Sequence, residues 1–380
     1  MLFLALGAVL RFGWWLSFPG PLLPDELTYS RAIRLVLEGE SPYGWGGYLY
    51  PPLFALGCAW LWEALGREGL LAVLRVLNLA GAVVTVWCAA VWLPWTWRWR
   101  VVAGLGVVVL SPALVQGLTF GNVSLWVSGM LVIGLLLWTR HPVLSGFLLG
   151  ASVAIKPLAP PAILVLAAHR PWEGQREPTG RRRWLAAGLA TAIAAVLTVP
   201  LPHFVEWLEL GSRASPERSV SFHRFPAIFG FEPHLLIVTG LVMAVALWVA
   251  RARTWGRLGA MSLALVVTMA ATPLVWSHTL VATLPLQAMA LGVLGLRWRT
   301  RLGSGLDDRG RPRRLPLYEP VLVGLGVAAL HLATGANTIY TTPWWLQMLG
   351  TAAPALAPGA LLAYVVACRE GLPEPWRREI

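Results

Sequence analysis

VLSGFLLGASVAIKPLAPPAILVLAA, residues 143–168, holds one charge, Lys156, inside an otherwise apolar run. At 1.5 Å per residue it is long enough to cross the ~30 Å hydrocarbon core of a bilayer. Pro157, Pro160 and Pro161 follow the lysine. Each removes a backbone donor and breaks a helix. Irregular backbone at membrane depth is tolerated only where protein buries it or a wet cavity meets it. The stretch therefore reads as a membrane segment, either one span or two shorter pieces meeting at a break beside Lys156.

Similar runs recur on both sides of it. The sequence predicts spans at 2–18, 51–65, 70–93, 101–118, 123–138, 143–168, 184–199, 234–250, 257–272, 279–296, 318–334 and 345–367, about twelve in all. The 380 residues are 57% hydrophobic and only 13% charged, with a mean hydropathy of +0.65. A soluble domain has roughly a quarter of its residues charged. The chain reads as an all-α, polytopic helical membrane protein with no soluble domain large enough to fold alone. Its first run, MLFLALGAVLRFGWWLSF, has no small-residue cleavage site and reads as a retained span.

The formal net charge of +12 would suggest nucleic acid in a soluble protein. Here arginines gather in short loops between spans, which sets topology and touches anionic lipid headgroups. The basic loops 169–183, 251–257 and 297–314, with the C-terminal tail, are placed in the cytoplasm. Residues 20–50, 200–233, 273–278 and 335–344 then fall outside. Arg98 and Arg100 conflict with this map: they favour the cytoplasm, whereas a twelve-span count puts them outside. Cys58, Cys88 and Cys368 have no metal-type spacing and read as packing residues. Asp307 and Asp308 lie in a flexible linker and read as solvated.

Between the first two spans runs PDELTYSRAIRLVLEGESPYGWGGYLYPP, residues 24–52. Leu27, Ile33, Val36 and Leu37 fall on one side of a short helix, which suits a helix lying in the interface plane. Asp25 opens that helix. Helix capping is its ordinary use, but the only other aspartates are the two in the linker. Glu26 is the neighbouring carboxylate. Lys156 is the sole lysine of the chain, and the other cations are arginines, mostly in loops. A charge in the membrane costs about 2.5–3.5 kcal/mol or more, and its natural partner is a phosphate or carboxylate; the bland alternative is a lysine snorkelling from a span end. Gly121-Asn122-Val123-Ser124 is a polar notch between apolar runs, with helix capping by Asn122 as the alternative reading. Tyr43, Tyr48 and Tyr50 fit either a substrate loop or an interfacial aromatic belt. His278 follows Pro273 and Trp276 between two spans. Arg213, Arg218, His223 and Arg224 offer anion contacts in an outer loop. No Walker loop, dinucleotide fingerprint, paired-cysteine zinc site or HExxH motif occurs.

Taken in order, an acid after the first span, SPYGWGGYLYPPLFAL at 41–56, FGNVSLW at 120–126, GFLLGASVAIKPLAPP at 146–161 and TPLVWSH at 272–278 resemble one family. It is the GT-C-type, polyprenol-phosphate-sugar-dependent glycosyltransferases of family 87. That family includes mycobacterial mannosyltransferases of phosphatidylinositol mannoside synthesis and related arabinofuranosyltransferases. The resemblance runs over about residues 1–300. It departs at the notch, where the family often has Gly-Gln-x-Asn, and gives no match from about residue 318.

The resemblance implies a GT-C-like fold with an amphipathic helix in the first extracytoplasmic loop. Residues 1–300 would be the catalytic module, 301–316 a cytoplasmic linker and 317–380 the last transmembrane helices and tail. It implies an active site on the outer face of a bacterial cytoplasmic (inner) membrane, with Asp25 as catalytic base and with His278 and Lys156-Pro157 matching family motifs. The substrates would be a polyprenyl-phosphate sugar, mannose first, and a lipid or glycan acceptor, without nucleic acid. A phosphate leaving group needs no acid, so one carboxylate suffices where a glycosidase needs two. Lys156, with Arg213, Arg218 and Arg224, would hold the donor phosphate; Glu26, Tyr43, Tyr50 and Asn122 would line the substrate site. No cofactor and no metal are expected. A transporter or flippase of a lipid-linked or small polar substrate is the rival reading, using the same Lys156. A second broken helix in the other half of the chain would favour that rival, and none is evident.

Overall fold

The computed structural model describes residues 22–91, 100, 111–171, 181–213, 234–272, 277–303, 318–332 and 344–380. These residues are helical apart from short turns, 3-10 pieces and one two-residue parallel pairing. The helices are α1 (Pro24–Leu37), α2 (Pro52–Val91), α3 (Pro112–Phe120), α4 (Ser124–Leu137), α5 (Pro142–Ile155), α6 (Pro160–Ala168), α7 (Arg181–Leu197), α8 (Leu201–Arg213), α9 (His234–Ala252), α10 (Arg257–Ala271), α11 (Leu284–Gly303), α12 (Tyr318–Leu332), α13 (Trp344–Ala367) and α14 (Glu374–Glu379). A 3-10 segment, Ser277–Thr283, leads into α11. Large apolar side chains face outward on several helices, among them Trp87, Trp248 and Leu325. That is the exposure pattern of a bundle solvated by lipid.

Two stretches, covering three of the expected spans, take a different form. Residues 51–65 and 70–93 join as α2, kinked where Gly66 leaves the helical region (φ 70°, ψ 170°). The part before Gly66 is only ~21 Å long at 1.5 Å per residue, short of a bilayer core. Its Phe54, Ala55, Cys58 and Ala59 pack with Tyr29, Ile33, Tyr43 and Tyr48 in a small apolar cluster separate from the main core. Trp207 and Leu210 of α8 pack against the same cluster. The part after Gly66, 67–91, is by itself long enough to cross, and α2 runs alongside α4. Its last residues lie toward the end away from that cluster, where Arg98 and Arg100 prefer to be; Arg98 itself is outside the described residues.

The second case is 143–168, which turns back on itself. The break is real: α5 stops at Ile155, Lys156 is extended, and α6 restarts at Pro160. At the turn, Lys156 touches Ser124, the first residue of α4. Further along, Ser145 near the start of α5 donates to the Gly134 carbonyl (2.6 Å). Beyond α6, His169 packs edge-on against Trp138 at the end of α4. Both ends of the stretch therefore meet the same end of α4, and α5–α6 is a helical hairpin with Lys156 at its tip. α7 runs beside α5 at very short range, since a Cβ on Gly146 would lie 2.2 Å from the Trp184 carbonyl oxygen and one on Gly150 would lie 2.6 Å from that of Gly188. Small residues four apart are what allow such an approach in a membrane.

By length and composition, two described helices qualify as full spans, Pro52–Val91 and 279–300, with a third if 182–197 and 201–210, bent by 105°, count as one. The expected twelve spans are thus not established: 51–65 and 70–93 form one kinked helix, and 143–168 is two helices that meet at Lys156. Contacts among the described residues sort several of the loops into two ends. Arg170–Pro171 pairs with Thr254–Trp255, Gly256 donates to the Ile380 carbonyl, and Arg297 holds Glu319. These join the basic loops and the tail at one end. At the other end Ser41 donates to Glu206, and Trp207 donates to the Leu49 carbonyl (3.2 Å). α8 thereby lies against the 38–51 loop.

The orientation has a direct check. Cys58, Cys88 and Cys368 are all buried, so they serve as a silent background once replaced by Ala. A cysteine at exposed Glu40 should react with an impermeant maleimide in intact cells, and one at exposed Arg253 only after lysis. The reverse pattern would turn the bundle over.

Candidate active site

Pro24 opens α1, where its missing N–H costs nothing. Asp25 comes next and is not the cap. Capping falls to Glu26, whose Oε2 accepts from the Leu23 N–H (3.0 Å). Glu26 also takes both arms of Arg75 from α2 (2.7 and 2.8 Å). Both partners are buried, at 1% and 4% exposure, so this pair pins the start of α1 to the bundle. Gly121 closes α3 in the left-handed region (φ 67°), and a Cβ there would lie 2.9 Å from Glu26 Cγ. Glycine is thus required twice over, by backbone and by space. Removing one partner of a buried ion pair costs about 3–5 kcal/mol. Arg75→Met should therefore lower the unfolding midpoint in detergent sharply, and Glu26→Gln added to it should recover much of the loss; an unchanged midpoint in the single variant would mean the pair is incidental.

Asn122 is the hub. Its Oδ1 accepts from the Ser124 N–H (2.8 Å), which caps α4. Its Nδ2 donates to Asp25 Oδ2 and to the Tyr50 hydroxyl (3.0 Å). Capping and site-building are therefore one arrangement, because the side chain fixed by the cap aims its amide at the carboxylate. Tyr50 also meets Tyr29 (3.2 Å), and Tyr29 accepts from the Val123 N–H (3.2 Å). Burial pushes the Asp25 carboxyl above its ordinary value; the Asn122 hydrogen bond and the Lys156 charge pull it back, and Glu26 adds a smaller push upward.

Lys156 comes to the same place from the hairpin tip. It is 9% exposed. Its ammonium donates to Ser124 Oγ (2.6 Å), reaches Thr279 Oγ1 (3.5 Å) and stands 5.6 Å from the centre of the Tyr50 ring. Among the described residues no carboxylate lies within ion-pair distance of it. Two hydroxyls and a ring face do not neutralise an ammonium in a low-dielectric setting. The arrangement therefore presents one unneutralised cation and one carboxylate across the 121–124 notch. That combination suits taking a proton from a hydroxyl while holding an anionic group.

The structure thus gathers Asp25, Tyr50, Asn122 and Lys156. Glu26 and Tyr43 stand apart from them in kind. Glu26 is occupied by Arg75 and Leu23. Tyr43 is 3% exposed and donates to the Tyr50 carbonyl (2.9 Å), as Tyr48 does to Pro51 (3.1 Å). These tyrosines form the interior of the loop and are neither a substrate wall nor an interfacial belt. The His278 side chain and that of Arg213 are not among the described residues, and Arg218 and Arg224 lie wholly outside them; the backbone of His278 adjoins Thr279, which does reach the site.

Sequence reasoning passed over Tyr29, Thr279 and Arg75, and named Ser124 only as part of the notch. Arg75 carried a readable signal, a second cation inside an apolar run that needs a partner there. Tyr29 is one helical turn from Asp25 on the same face. Ser124 and Thr279 are ordinary residues whose part comes only from the hairpin reaching them.

The family model described as glycosyltransferase family 87 matches residues 48–277. That stretch contains Tyr50, Asn122 and Lys156 and begins after Asp25 and Glu26. Among solved structures, the chain is similar to the apo crystal structure of ArnT from Cupriavidus metallidurans, with 15% identity, 98% of this chain and 77% of that one covered, and a TM-score of 0.39. No curated protein matches.

Proposed function

Because the chain belongs to glycosyltransferase family 87, we propose that this membrane glycosyltransferase moves a sugar from a polyprenyl phosphate to a lipid or glycan hydroxyl, at the end of the bundle away from the basic loops and outside the cell. The observation that carries the reading is Lys156: a buried cation at a helical break, with no carboxylate partner among the described residues, facing Asp25 across one notch. An anionic substrate supplies what the cation lacks.

In the proposed step the acceptor oxygen attacks the anomeric carbon and forms the new glycosidic bond. The bond from that carbon to the phosphate oxygen breaks, and the electron pair leaves with the prenyl phosphate. The acceptor's proton goes to Asp25. Charge growing on the phosphate is met by Lys156. Asn122 holds the carboxylate in place through its amide N–H, and burial offsets the basicity that this bond removes. A single in-line displacement inverts the anomeric centre. The prenyl chain would lie between helices and the sugar would be a hexose, mannose in the first instance.

Purified protein in vesicles, given radiolabelled polyprenyl-phosphate mannose and a membrane lipid extract, tests this. Label in a new glycolipid of inverted configuration supports it. Label left on the prenyl phosphate, with every hexose donor tried, contradicts it.

A further inference from the structure

The Tyr50 hydroxyl has a hydrogen left to give. A phenol oxygen accepts at two positions and donates once. Asn122 Nδ2 donates into it at 3.0 Å, and an amide nitrogen cannot accept in return. Tyr29 is the second neighbour, at 3.2 Å. The Tyr29 hydroxyl accepts from the Val123 N–H and donates to the Tyr50 oxygen. Both acceptor positions of Tyr50 are then filled from the protein. Its own proton has no acceptor among the described residues.

The ring that bears this hydroxyl is fixed. Tyr29 and Phe54 pack on it at centroid distances of 5.4 and 5.8 Å, with Tyr48 at 5.7 Å. Burial and the nearby Asp25 carboxylate push its phenol far above the ordinary range, so it stays protonated. The Lys156 ammonium faces the same ring. A backbone N–H, two phenols and an outward proton form a chain in which each bond polarises the next.

We propose that Tyr50 is a ligand-binding residue whose hydroxyl donates a hydrogen bond to a phosphate oxygen of the lipid substrate, working with Lys156, while Tyr29 positions that proton. The inference rests on the polyprenyl-phosphate reading above and assigns to this tyrosine a part of the phosphate site. A phosphate oxygen suits the vacancy because it only accepts. A sugar hydroxyl or a neutral prenol could accept too, but neither has the negative oxygen that strengthens the bond.

The test compares two probes, polyprenyl phosphate and the matching uncharged polyprenol, by equilibrium binding to the detergent-solubilised full chain. Wild type should bind the phosphate more tightly than the alcohol. Tyr50→Phe keeps the ring, its stacking and its face toward Lys156, and loses only the hydroxyl. It should weaken phosphate binding by ~10- to 100-fold, the scale of a hydrogen bond to a charged group, and leave polyprenol binding unchanged. Tyr29→Phe should weaken phosphate binding by a smaller factor. Equal phosphate affinity in Tyr50→Phe and wild type overturns the inference and leaves the transferase reading standing. Equal weakening for both probes also overturns it, since that marks a packing role. A wild type that does not distinguish phosphate from alcohol sinks the polyprenyl-phosphate reading and this inference together.

Discussion

Asp25→Asn is expected to cut turnover by about 10²–10⁴-fold, the usual contribution of a positioned general base, with expression and folding intact. Asparagine keeps the size and can still accept from Asn122. What it loses is basicity. A capping residue would behave otherwise, but α1 is capped by Glu26 through the Leu23 N–H, so no cap is lost. Stability should move in the opposite direction to activity. Burial raises the folded-state carboxyl above its ordinary value, and such a group makes the fold less stable as pH rises through the unfolded value and then the folded one. Removing the charge lifts that cost at neutral pH, so the unfolding midpoint should hold or rise. The pH profile carries the same sign. A base must be deprotonated, so wild-type kcat/KM should fall as pH drops through the raised value, and the residual activity of Asp25→Asn should show no such fall. Near-normal turnover in the variant would remove Asp25 from the chemistry.

Lys156→Met is the second large effect. Methionine matches the length and packs in an apolar setting, so the hairpin should still form against Ser124 and Thr279. Donor binding should collapse, and turnover should drop by about 10²–10³-fold or more, as when a group that stabilises developing charge is removed. Lys156→Arg separates charge from shape. It keeps the cation, but a wide planar fork replaces a compact ammonium held between two hydroxyls. Part of the donor affinity should survive, with turnover falling further than binding. A snorkelling lysine would tolerate arginine fully. The ammonium instead reaches inward to Ser124, which is the opposite of snorkelling. Retained donor affinity in Lys156→Met would exclude it as the phosphate ligand.

The membrane class was legible from composition alone, and the break at Lys156-Pro157 from its prolines. The direction taken after the break was not. A crossing and a hairpin have the same apolar content, and only the contacts of Trp138 with His169 and of Ser124 with Lys156 separate them. Likewise, 51–65 is apolar enough for a short span, but hydropathy does not register that Gly66 ends it or that its buried face meets Tyr29, Tyr43 and Tyr48. That correction also eases the conflict over Arg98 and Arg100.

At the site, Asp25, Asn122, Tyr50 and Lys156 stood out by scarcity or by motif. Their convergence was not readable, because it depends on contacts across 97 residues for Asn122 with Asp25 and 123 for Lys156 with Thr279. Glu26, the neighbouring carboxylate on the helix, read as a substrate-site residue beside Asp25. One step around α1 turns it toward Arg75 and into the packing, whereas Asp25 faces the notch.

A structure of the protein with a polyprenyl phosphate bound would show whether Lys156 holds the phosphate. A phosphate oxygen is expected at ~3 Å from Lys156 Nζ, with the Asp25 carboxylate still held by Asn122 and facing the side from which an acceptor would approach. A phosphate lodged among the arginines at the other end of the bundle, with Lys156 still on Ser124 and Thr279, would contradict that role.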